Sequence, residues 1–137
     1  MKNQTDPSRL LRLALRANAA FSIVSGAALL AGARPIAGFI GHGRAADLAA
    51  VGGALLGFAA WLLWIAARPE ISRGGARLAV ALDLGWVLLT AVVLAAGSFN
   101  AAGRTVAVVV ALLVADFALF QFLGLRRLRK TFPASTV

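Results

Sequence analysis

Three residues could do chemistry from within apolar stretches: Asn18 in RANAAFSIVSG (16–26), Asp83 in LAVALDLGWVLL (78–89) and Asp116 in ALLVADFALFQF (111–122). A carboxylate facing lipid at the centre of a spanning helix costs about 3 kcal/mol on insertion scales, so both aspartates are expected to face inward. Protonation, an ion pair or hydrogen bonds from a neighbouring helix would each relieve that cost. Arg16 lies at a depth similar to Asp83 and is the expected ion-pair partner. Asp116 has no basic residue at its own level, so it should be neutral or bonded to Asn18, Ser22 or a tryptophan N–H.

Helical spacing sorts the neighbours of these groups onto faces. Asn18, Ser22 and Ser25 share one side of a first helix, and Asp83, Trp86 and Thr90 one side of a third. Gly53, Gly57 and Trp61 line up on a second helix, with the small-xxx-small spacing that lets backbones approach closely. On a fourth, Asp116 neighbours Phe120, and Phe117 neighbours Gln121. Converging faces would enclose a polar pocket in the cytoplasmic half, with Asn18, Ser22, Trp61, Asp83, Trp86, Asp116 and Gln121 as ligand-binding or proton-linked candidates. The same residues could instead be interhelical hydrogen-bonding glue, or an interface with another membrane subunit.

Other chemistry finds little support. The chain has no cysteine, which removes disulfides, thiolate metal sites and thiol nucleophiles. Its one histidine, His42 in GHGRAAD, brings too few ligands for a metal, and no serine has a histidine partner at its depth. No catalytic or cofactor motif stands out, so a non-enzymatic protein without cofactors or metal is expected.

The elements that must position these residues follow from composition. At 137 residues and 61% hydrophobic, the chain reads as an integral membrane domain over 1–137. Helices are expected at about 10–33, 46–67, 75–98 and 103–128, each near the ~20 residues needed to cross a bilayer. The fold class is thus all-α, a four-helix transmembrane bundle. Prolines in GARP (32–35) and AARPE (66–70) and the Gly/Asn turn GSFNAAGR (97–104) mark short connections, so sequential helices should pack antiparallel. Arg9, Arg12 and Arg16 before an apolar run ending in AGA (31–33) also fit a cleavable secretory leader, against which the internal repeat described below favours a retained helix.

Fourteen Lys and Arg give a net charge of +9. Eleven lie in the amino-terminal segment, the second connection and the tail, against three (Arg34, Arg44, Arg104) in the other connections. By the positive-inside rule both termini are cytoplasmic. Placed beside apolar segments, these charges meet anionic lipid headgroups rather than nucleic acid. Trp64 and Trp61 also fit an interfacial aromatic belt.

An offset of 65 residues aligns Asn18 with Asp83, Phe21 with Trp86 and Ser25 with Thr90, and an offset of 59 aligns Trp61 with Phe120 and Arg68 with Arg127. This pattern predicts two tandem helical hairpins. At RANAAFSIVSG, LDLGWVLL (82–89) and QFLGLRR (121–127) the chain resembles small four-helix inner-membrane proteins of bacteria. The resemblance is one of general pattern and implies no activity or functional residue. It fits a small inner-membrane protein that binds a lipophilic or small ligand or serves as an accessory subunit, alone or as a homo-oligomer. An oligomeric proton-coupled transporter is the alternative.

Overall fold

The computed structural model describes residues 6–131. Five helices run through them: α1 (Arg9–Ala31), α2 (Ala33–Ile40), α3 (Ala45–Ala67), α4 (Arg73–Ala95) and α5 (Ala101–Thr131). There is no strand among the described residues. Four of the helices, α1, α3, α4 and α5, are long and apolar enough to cross a membrane, so the chain is a multi-pass membrane protein by length and composition. Large apolar side chains such as Leu13, Val24, Leu88, Val92 and Leu112 lie exposed on the outside, as a lipid-facing surface requires.

The short helix α2 was not expected. Its eight residues, ARPIAGFI, are too few for a periodic signal, and Pro35 reads as a helix stop. Pro35 instead sits in the first turn, where a missing N–H breaks no intrahelical bond. Gly41, at φ 74°, ends α2 in the left-handed conformation that glycine adopts without steric penalty.

Packing follows the order α3–α1–α5–α4: α1 lies against both α3 and α5, and α4 lies against α5. Although consecutive, α3 and α4 make little contact, so the short connection does not dictate close packing there. Arg68 and Ser72 are both extended, which spaces the two helices apart, and each finds its main contacts elsewhere.

The buried stripe of α1 carries Leu11, Leu15, Asn18, Ser22 and Gly26, a repeat of four and three residues. Leu11 and Leu15 join Leu62, Ile65, Ala76, Ala79, Leu125 and Leu128 in a core at the end of the bundle that holds both termini and the α3–α4 connection. Farther along, α1 crosses α3 at Gly26 and Gly52. A Cβ on either glycine would stand 2.7–2.8 Å from the other's carbonyl oxygen, closer than side-chain carbons are found. The small-residue crossing expected at Gly53 and Gly57 lies one residue away, and those two glycines face open space.

Two polar devices fasten the ends. Arg12 donates to the carbonyls of Ala66 (2.7 Å), Arg68 (2.6 Å) and Pro69 (2.6 Å). Its charge thus sits at the negative end of the α3 dipole and satisfies carbonyls that the helix leaves free. At the opposite end, the Asn100 side chain accepts from Gly103 N (2.8 Å) as the N-cap of α5 and donates to Phe39 O (3.0 Å) of α2.

Candidate functional site

Asn18, Asp83 and Gln121 come together in the interior, each from a different helix. Asn18 Nδ2 donates to Asp83 Oδ2 at 2.8 Å, and Gln121 Nε2 donates to the same oxygen at 2.9 Å. All three are nearly sealed, at 1%, 4% and 0% exposure, and Ser22 is buried one turn along α1 from Asn18. The backbones of α1 and α4 do not approach each other closely. Asp83 reaches across to join them while also holding α5.

Helix periodicity brings these residues together. On α5 the buried positions Val114, Ala118, Gln121, Leu125 and Leu128 alternate steps of four and three, which fixes one inward face. Gln121 lies on it. On α4, Ala76, Ala79 and Asp83 follow the same rhythm.

The expected Arg16–Asp83 ion pair does not form. Arg16 is exposed, and the carboxylate takes its hydrogen bonds from two amides instead. Residues two apart on a helix point to nearly opposite sides, so with Asn18 inward Arg16 must face out.

Asp116 also departs from expectation. It is exposed at the midpoint of α5, with no hydrogen bond or ion pair among the described residues, rather than bonded to Asn18, Ser22 or an indole. Two residues before Ala118, it falls off the buried stripe. Its neighbour Phe117 does turn toward α1, with its ring 5.6 Å from that of Phe21.

The tryptophans scatter. Trp61 is half-buried beside Phe58 and against the core at the terminal end. Trp64 is exposed, with the Arg68 guanidinium 4.1 Å over its ring, an arrangement suited to a membrane interface. Trp86 is half-buried, and its carbonyl accepts from Thr90 Oγ1 at 2.9 Å.

Compared with known protein families, with characterised proteins and with solved structures, the chain shows no match. What the interior can do must therefore be read from its own chemistry.

Two amide donors on one carboxylate oxygen bind three helices together, at about 0.6–2 kcal/mol per interhelical hydrogen bond. One acceptor is left over, since Gln121 Oε1 is buried with no partner. A proton donor such as water would complete it. Open hollows occur elsewhere, at the terminal end. One of about 620 Å³ is lined by Asp6, Arg9, Leu13, Arg127 and Lys130, a basic rim over an apolar floor. The His42–Asp47 contact (3.1 Å), with Arg44 3.7 Å from the same carboxylate, ties the loop before α3 to the first turn of that helix. No group of three metal-ligating side chains occurs among the described residues.

Sequence reasoning missed Arg12, Asn100 and the Gly26–Gly52 crossing. Arg12 was hidden among the flanking charges. Only the bare carbonyls at the end of α3, with no basic residue in its own last turn, hinted that a cation from elsewhere was needed.

Proposed function

We propose that this chain is a non-enzymatic membrane protein of the inner membrane that works by lateral association, as an accessory or assembly subunit. The observation that carries this reading is Asp116, an exposed carboxylate at the midpoint of a spanning helix with no hydrogen bond or ion pair among the described residues. Left against lipid it costs about 3 kcal/mol, and a neighbouring helix that supplies a cation or a hydrogen-bond donor removes that cost. The Asn18–Asp83–Gln121 cluster serves as the internal lock that gives the bundle a fixed surface to present. Both termini lie in the cytoplasm on this reading, with two tandem hairpins and with Arg9, Arg127 and Lys130 against anionic headgroups.

Asp116→Asn tests the reading. It should leave the bundle folded and reduce its association with neighbouring membrane helices, measured as assembly size after mild solubilisation. An unchanged assembly would refute it.

A second reading, proton-coupled transport by an oligomer, draws on the buried Asp83 carboxylate and the unpartnered Gln121 Oε1 beside it. It requires Asp83→Asn to abolish proton-linked uptake in vesicles without unfolding the bundle.

A further inference from the structure

We propose that the partner is a second copy of this chain, with the Arg16 of each copy paired to the Asp116 of the other. The inference rests on the assembly reading above and names its partner. Only three charged side chains lie more than about two turns inside a spanning helix: Arg16, Asp83 and Asp116. Asp83 is satisfied internally. The other two are opposite in sign, exposed and without a partner among the described residues. One cation and one anion per copy close a two-fold interface with two equivalent pairs and no charge left over.

Depth is compatible. Leu11 meets Gly124, and Phe21 meets Phe117, which sets the register of α1 against α5. In that register Asp116 lies roughly 5–9 Å deeper than Arg16, within the combined reach of an extended arginine and an aspartate side chain. A two-fold axis along the membrane normal preserves depth, so the same offset holds between copies.

The flanks are compatible too. Arg16 stands one turn beyond Arg12, whose guanidinium covers the end of α3, so it lies toward the α3 side of α1. Asp116 adjoins Phe117 and lies on the α5 side. Within one copy the two groups therefore sit on opposite flanks of the outer face of α1. When two such faces meet about a two-fold axis, left flank meets right flank, and each arginine comes opposite an aspartate. Beside them the exposed face of α1 carries Ala17, Ala20 and Ala27, small side chains that let two α1 helices approach closely, together with the larger Leu13 and Val24.

The chain's lack of cysteine makes the test direct. A single cysteine at Gly43, which faces open space, carries donor or acceptor dyes, and energy transfer is measured in phosphatidylcholine vesicles over a range of protein-to-lipid ratios. Wild type should associate. Arg16→Asp and Asp116→Arg should each weaken association roughly tenfold or more, and the double reversal should recover most of it. Asp116→Asn, which keeps the side-chain shape, should weaken it several-fold and covers the case in which Asp116→Arg fails to insert.

Transfer no greater than random placement for wild type overturns the inference, as does a double reversal no better than either single. If wild type is monomeric in vesicles but is held in native membranes by a different protein that Asp116→Asn releases, the second-copy inference fails and the assembly reading stands. If Asp116→Asn changes neither, both fail.

Discussion

Asp83 and Asp116 are the same residue type in similar apolar surroundings of sequence, yet the fold treats them oppositely. Asp83 is sealed and receives two amide hydrogen bonds from α1 and α5. Asp116 stands exposed at the midpoint of α5 with none among the described residues. On the assembly reading, the difference makes Asp83 an internal fastening and Asp116 an external contact. Phase on the helix, more than depth, decides which.

The largest effect expected from breaking this comparison is at Asp116. Asp116→Leu removes a lipid-facing charge and should favour insertion of α5 by about 3 kcal/mol in a membrane-insertion assay. The same variant should lose association. A smaller insertion gain would mean that Asp116 already finds a donor within its own chain.

Next comes the internal fastening. Asp83→Leu strands the Asn18 and Gln121 amides and should destabilise the bundle by about 1–3 kcal/mol, read as a lower unfolding midpoint in detergent or lipid. Combining it with Gln121→Leu should add less than the sum of the two single losses, because both variants break the same bond.

The glycines sharpen the same contrast between inside and outside. Gly26→Ala forces its Cβ against the Gly52 carbonyl and should loosen the α1–α3 crossing, by about 1–3 kcal/mol. Gly57→Ala meets open space and should be neutral, or stabilise by up to about 1 kcal/mol through helix propensity. If the two substitutions cost the same, the Gly26–Gly52 crossing is misplaced.

Outside the bilayer, Asp6 offers a reference carboxylate with the smallest effect. The backbone N–H and then the hydroxyl of Ser8 hold its pKa below the ordinary 3.8. Because the folded value is the lower one, any stability it contributes is present above pH 3.8 and is lost as pH falls through the folded value. An NMR titration should place its midpoint below 3.8, and Ser8→Ala should move it upward.

Much of the architecture was legible in the sequence because apolar length speaks directly to membrane spanning. The four long helices fall near their expected positions, with α5 extended to Thr131 by the basic run LRRLRK, which favours a helix C-terminus. The Asn18–Asp83–Gln121 cluster was legible as a set of inward candidates, though not as a bonded trio. For Arg16 and Asp116 depth in the apolar run is a poor guide, because phase on the helix decides which way they face. Asn18 and Arg16 cannot both face inward, and a residue two places from Ala118 cannot share its stripe. Arg12 and Asn100 depend on which helix ends meet in space, which no local spacing encodes.

The most direct measurement sets the two aspartates side by side: unfolding midpoint and self-association in vesicles, for Asp83→Asn and Asp116→Asn against wild type. We expect the effects to separate, with Asp83→Asn lowering the midpoint and Asp116→Asn weakening association while leaving the midpoint of the single bundle unchanged. If both substitutions lower the midpoint alike, or neither alters association, the division between an internal fastening and an external contact is wrong.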